Sequence, residues 1–386
     1  MDRRKRRSRH VRRLRSGEAG GRPGRRPTTL DRSARGMLVG VLAAAVFLVG
    51  PILASAAYPG GGKGQLSAQD IGEEWAERPV ALVTGSTGGM GREIAWRLHE
   101  LGYHVIVHGR SAQRGLALVD EILEAGGSAT FHAADFTSLD QVRSLAMTVV
   151  AGYDRLDILV NNAGIGSAED GMEWTDDGLE PVFQVNYLSH FLLTELLLPR
   201  LRAAPEARIV NVASLAQAPL VFDDEEPWWK EPEEEEIDPE EQESADTPTA
   251  TDRGTEPESP QEPADGDEGV GEEDEARIGL PYARSKLAQI LHAFDLAEEL
   301  EGTSIQVNAL HPATFMDTYM VERAGIEPQA TVEEGADAVM QLLTGEVGSG
   351  GYFNQMEPAE AHEQAYDREA RRQLRELSRH LAGLDP

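Results

Sequence analysis

The chain has 386 residues, 40% of them hydrophobic, enough for one large domain or two modest ones with a sizeable core. Its formal net charge of −31 argues against nucleic acid as a main partner, and the absence of cysteine excludes disulfides, thiolate nucleophiles and Cys-ligated metal sites. The charge is uneven: residues 1–36 hold 14 Arg or Lys against 3 acids, residues 223–277 hold 25 acids against 3 bases, and the remainder still carries −20.

The basic arm, residues 1–36, precedes an uncharged stretch. Within it Met37 to Ala57 is a run of 21 mostly apolar residues, long enough to span a bilayer. The arm would stay cytoplasmic by the positive-inside rule. A single-pass anchor is the favoured reading. A secretory signal is the alternative, because Ala54-Ser55-Ala56 resembles a small-residue cleavage site. Both place the following domain across the membrane; a wrongly assigned start codon would leave the domain cytoplasmic. Residues 58–78 read as a linker.

From Pro79 onward apolar, strand-like runs alternate with helical periodicity. Strands are expected at Val80–Thr84, Tyr103–His108, Ser128–Ala133, Leu156–Val160, Arg208–Ala213, Ile305–Leu310 and Gly351–Phe353. Helices are expected at Gly89–Leu101, Ala112–Ala125, Leu139–Val150, Gly178–Ala203 and Tyr282–Leu300. Strands separated by helices of this length imply an α/β fold. It would be a Rossmann-type, doubly wound parallel sheet of about seven strands with helices on both faces. Residues 79–386 would form this domain, interrupted by the acidic stretch 223–277. The composition of that stretch cannot bury enough apolar surface to fold alone. A solvated loop is the favoured reading, and binding of cations or a basic partner the other; Trp228-Trp229 near its start are candidates to dock on the domain.

The first strand runs into Thr84-Gly85-Ser86-Thr87-Gly88-Gly89-Met90-Gly91, with four glycines in seven residues. Such a turn lets the backbone approach a pyrophosphate, and the next helix points its free N–H groups at the phosphates. After the second strand comes His108-Gly109-Arg110-Ser111. A carboxylate there would favour NAD by binding the ribose 2′-hydroxyl; none is present, and Arg110 can pair with a 2′-phosphate. NADP(H) is therefore favoured over NAD(H). Tyr282 and Lys286 stand i, i+4 on one helical face. A free tyrosine titrates near pH ~10, and a neighbouring ammonium lowers that value toward useful acid–base chemistry.

The T-G-x-x-x-G-x-G spacing, Asn161-Asn162-Ala163-Gly164 at the end of the fourth strand, Asn186, Ser214 and Tyr282-Ala283-Arg284-Ser285-Lys286 occur in an order that resembles the short-chain dehydrogenase/reductase family. Phe183–Tyr187 and Ala207–Val212 look most like its retinol-dehydrogenase-like branch. The resemblance implies an oxidoreductase acting on CH–OH donors, with Tyr282 as proton donor or acceptor and Lys286 holding the cofactor ribose. It implies Ser214 on the substrate oxygen, and Asn186 supporting a relay water. It also implies cofactor contacts from Thr84, Gly85, Ser86, Thr87, Gly89, Met90, Gly91, Asn162, Ala163, Gly164, Pro312 and Thr318. Asp135 would contact the adenine, with Phe136 flanking the ring; a helix cap is the competing role for Asp135. One departure is Pro312-Ala313, where the family usually has Pro-Gly. Ser214 and Tyr282 lie 68 positions apart, and removing the 55-residue acidic stretch leaves 13, close to the family spacing.

Phe315, Met316, Tyr319 and Met320 in the loop of about Ala313–Ala330 suggest either an apolar substrate pocket or core packing. The partner expected is thus a small carbonyl or alcohol, with no metal, a membrane reached through residues 37–57, and self-association left open. The competing function is a membrane-tethered nucleotide-binding regulatory module without turnover.

Overall fold

The computed structural model describes residues 77–167, 172–222, 227–230 and 272–384. The basic arm, the apolar run 37–57, nearly all of the linker and most of the acidic stretch lie outside them. Along the described chain run β1 (Val80–Val83), α1 (Gly89–Glu100), β2 (His104–Gly109), α2 (Ala112–Glu124), β3 (Ser128–Ala133), α3 (Leu139–Gly152) and β4 (Ile158–Asn161). A short turn, Pro181–Phe183, and a π-wound segment, Gln184–Leu188, lead into α4 (Ser189–Leu201). There follow β5 (Ala207–Val212), α5 (Glu272–Glu299), β6 (Ile305–His311), α6 (Tyr319–Arg323), α7 (Val332–Thr344), β7 (Tyr352–Asn354), β8 (Glu357–Pro358) and α8 (Arg368–Leu381).

The strands form one sheet in the order β3-β2-β1-β4-β5-β6-β7-β8, parallel except for the β7–β8 pair. This is the expected doubly wound sheet with one strand more. The extra strand is two residues long, too short to carry a periodicity. Strand order reverses between β1 and β4, and in such sheets ligands bind outside the carboxyl ends of the strands at that crevice. β1 is buried along its whole length. Val80 and Leu82 join the core on one face with α3, α4, α5 and α8, while Ala81 and Val83 join the core on the other with α1, α2 and α7. Burial on both faces is why the strand is a continuous apolar run.

Three helices, α6, α7 and α8, are absent from the elements read off the sequence. Thr331 and Glu334 form a reciprocal capping box that opens α7. The heavily charged α8 is held by ion pairs of Arg371 with Glu298, Arg375 with Asp295 and Arg379 with Glu195. It also meets α4's approach segment through the buried Tyr187 hydroxyl, 2.6 Å from Ser378 Oγ. At the root of the acidic stretch Trp229 is buried. Its carbonyl accepts from Glu180 N at 3.1 Å, and Trp228 packs edge-on to Phe183 at 5.2 Å. At the other end helix α5 starts at Glu272, ten residues before Tyr282, so the stretch expected to end at Arg277 gives way to helix earlier.

Ser378 Oγ already donates to Leu374 O at 2.7 Å, so Tyr187 is the donor to Ser378. Tyr187→Phe should cost about 1 kcal/mol, seen as a lower urea midpoint at unchanged m-value.

Candidate active site

The glycine-rich turn is shaped by close contacts. Gly85 and Gly89 have φ of 67° and 52°, in the left-handed region that favours glycine. A β-carbon at Gly91 would lie 2.5 Å from both Asn162 Nδ2 and Gly85 O, so the bare backbone makes room for the neighbouring turn. The Thr84 hydroxyl accepts from Asn162 N at 2.8 Å and Ala163 N at 2.9 Å, and Asn162 Nδ2 donates to Thr84 O at 2.7 Å. These bonds fasten Asn162-Ala163-Gly164 to the turn.

Side chains of Ser111, Ser138, Thr331 and Asp367 cap α2, α3, α7 and α8, but α1 has no side-chain cap and no acid in its first turn. A β-carbon at Gly88 would meet nothing within 4 Å, and Thr318 stands beside Gly89, 3.5 Å from where a β-carbon would be. An open turn under uncapped amides fits a pyrophosphate. Ser86 and Met90, expected among the cofactor contacts, turn their side chains inward. Ser86 Oγ donates to Val83 O at 2.8 Å and accepts from His108 N at 3.0 Å, and Met90 is part of the core. What they offer a ligand is backbone. Thr87 packs over Gly109, whose β-carbon would come within 2.6 Å of Thr87 Cγ2.

At the end of β2, Arg110 is half exposed and its guanidinium is 3.9 Å from Asp135 Oδ2. Asp135 Oδ1 accepts from Thr137 N and Thr137 Oγ1 in a local turn, and the helix cap weighed for it falls to Ser138 instead. The Phe136 ring is buried, stacked on His108 at 4.5 Å.

The expected catalytic residues converge. Tyr282 is hydrogen-bonded to the Ser214 side chain; burial pushes its phenol up and that bond pulls it partly back. Ser214 Oγ accepts from Ala216 N at 3.1 Å, and its carbonyl accepts from Tyr352 Oη at 2.9 Å and Gln217 Nε2 at 3.1 Å. Lys286 is buried, with Nζ 5.4 Å from the Tyr282 ring centroid, donating to Val212 O at 2.8 Å and Gln289 Oε1 at 3.0 Å. Burial pulls its ammonium down to about 7. Asn186 sits in the π-wound segment. Its Oδ1 accepts from Ile165 N at 2.8 Å, and its Nδ2 donates to Ile165 O and Ser285 Oγ, each at 3.0 Å. Gly164 joins the two halves of the site: a β-carbon there would be 3.1 Å from Asn186 Oδ1 and 3.8 Å from Lys286 Nζ.

Pro312 and Ala313 are buried, and the left-handed turn that a glycine would ease falls instead on Phe315, at φ 47°. The apolar loop residues divide. Met316 packs into the core against α7, while Phe315, Tyr319 and Met320 are exposed, Met320 beside Gly166. Sequence reasoning missed Gln289, Tyr352, Gln217 and His190. His190 alone carried a signal, standing four residues after Asn186 inside an apolar helix.

A sequence profile for the short chain dehydrogenase family matches residues 79–221. The chain is 31% identical over 323 residues to dehydrogenase/reductase SDR family member 13 of Bos taurus, covering 80% of this chain and 74% of that one. It is 28% identical to human retinol dehydrogenase 13, covering 79% and 85%. A short chain dehydrogenase from Escherichia coli CFT073, solved with NADPH, shares the fold at TM-score 0.50 and 22% identity, covering 72% and 96%.

The folded protein holds Lys286 near pH 7 while an unfolded lysine titrates near 10.5. The native state therefore binds fewer protons between those values, and stability rises with pH across the window. Lys286→Met removes that rise. Urea titrations at pH 7 and pH 10 should show wild type gaining roughly 3–5 kcal/mol relative to the variant as pH increases.

Proposed function

Because the chain belongs to the short-chain dehydrogenase/reductase family, we propose that it interconverts a carbonyl and an alcohol with NADP(H), on an apolar small molecule. The observation that carries the proposal is the grouping of a half-buried Tyr282, hydrogen-bonded to Ser214, with Lys286 and Asn186 beside it. The cofactor, when bound, supplies the hydride.

The chain's own residues do the rest. Ser214 Oγ accepts from Ala216 N, and its one hydroxyl hydrogen, which faces Tyr282, turns to the oxygen of a bound substrate. Tyr282 Oη delivers the proton to that oxygen in reduction or removes it in oxidation. Lys286, when protonated, favours the phenolate through its charge, and in a buried site that charge acts at low dielectric. Gly85, Gly88 and Gly89 with the α1 amides hold the pyrophosphate, with Thr318 at its side. Arg110 takes the 2′-phosphate and Asp135 the adenine. Phe315, Tyr319 and Met320 are the substrate-facing apolar surface. The anchor at residues 37–57 and the acidic insertion between β5 and α5 belong to the same reading. Its support is their composition and the family spacing of Ser214 and Tyr282.

Tyr282→Phe should lower NADPH-dependent reduction of a carbonyl panel by about 10²- to 10⁴-fold while NADPH affinity is retained. A wild-type protein that binds NADPH yet turns over no carbonyl or alcohol would instead support a regulatory module. Arg110→Gln should weaken NADPH by about 10-fold or more and leave NADH within about twofold, measured by cofactor fluorescence titration.

A further inference from the structure

His190 lies at the first turn of α4 and is buried. Its Nδ1 is 2.8 Å from the Asn186 carbonyl oxygen and its Nε2 is 2.9 Å from Thr84 Oγ1. A carbonyl can only accept, so Nδ1 carries the hydrogen. Burial holds the imidazole neutral, pulling it down to about 3. Nε2 is then bare and accepts from the Thr84 hydroxyl. This assignment is consistent around Thr84, whose oxygen receives the Asn162 and Ala163 amides and whose one hydrogen is left for His190. Among the described residues Val160 O, at 3.2 Å, is the one competing acceptor. Phe136 packs edge-on to His190 at 5.1 Å, and on its other side stacks on His108, whose Nδ1 accepts from Gly85 N at 3.2 Å.

We propose that His190 is a positioning residue that ties the cofactor turn, through Thr84, to the backbone of Asn186, so that the hydride and proton halves of the site are set in register. The inference rests on the catalytic reading of Asn186 and Tyr282 given above. One bond fixes the hydroxyl that anchors Asn162-Ala163 against the glycine-rich turn. The other holds a carbonyl in the π-wound segment that presents Asn186 next to Gly164 and Ser285. No other side chain among the described residues bonds both Thr84 and the Asn186 carbonyl.

The two bonds can be separated in the full-length protein. His190→Gln places an amide oxygen near the Nε2 position and keeps the Thr84 contact. His190→Asn places an amide N–H near the Nδ1 position and keeps the Asn186 contact. His190→Phe keeps the ring volume and loses both. Gln should retain NADPH affinity within about twofold and lose about 10-fold in kcat, and Asn should retain kcat at saturating NADPH while its NADPH Kd rises about 5-fold. Phe should combine the losses, with a circular dichroism spectrum like wild type. In hydrogen exchange, NADPH should protect the amides of residues 184–190 in wild type and not in His190→Phe.

A folded His190→Phe with kcat and Kd within twofold of wild type overturns the proposal, as do Asn and Gln variants that shift both parameters alike. If wild type shows no turnover, the catalytic reading fails by itself. The link then stands or falls on NADPH Kd and exchange protection, and equal protection in wild type and His190→Phe sinks it.

Discussion

Everything in this site hangs on one hydroxyl. Thr84 Oγ1, at the end of the central strand β1, takes two amide hydrogens from the turn after β4 and offers its own to His190 on α4. Three segments from different parts of the chain thereby meet at the switch point of the sheet. The contact works only because the glycines around it remove side-chain bulk. A β-carbon at Gly85 would come within 2.9 Å of Ala163 Cα, as would one at Gly91 within 2.5 Å of Asn162 Nδ2. The sequence spends its small residues where two turns must share space, and the result is a rigid floor beneath an open cradle.

The fold was readable because parallel sheets covered on both faces leave strong signals. β1, β2 and β4 are buried throughout, and their apolar runs name them. Capped amphipathic helices such as α2 and α3 announce their own beginnings through Ser111 and Ser138. The C-terminal helix α8 did not, because its few buried apolar residues, Ala370 and Leu374, stand among many charges, and ion pairs with one buried hydroxyl pair complete its attachment. β8 is two residues long and exists only because β7 lies beside it.

The site was legible to the extent that its chemistry needs particular residue types at particular spacings. Tyr282 and Lys286 declare themselves by a helical turn, and the turn glycines by crowding. Ser86, Met90 and Phe136 show the limit of such reading. They stand in the right motif, but the local backbone sends their side chains into the interior. Gln289 and Tyr352 escaped for the opposite reason. Each acts through a backbone carbonyl or a neighbour's side chain, and such bonds leave no mark in the order of residues. Burial also gives Lys286 a double character. The low polarity that sharpens its influence on Tyr282 makes its charge costly to the fold.

The short antiparallel strand at the far side of the sheet has a consequence of another kind. An edge strand displays unpaired backbone groups that can recruit a second sheet. Here the edge beyond β7 is occupied by Glu357–Pro358, a pair too brief to template further pairing. One of the two has no amide hydrogen to give and the other carries a charge. A parallel sheet folds slowly and spends time with its rims bare. Ending it on a dead pair of residues makes this rim a poor seed for aggregation, independently of anything that happens at the catalytic end of the strands.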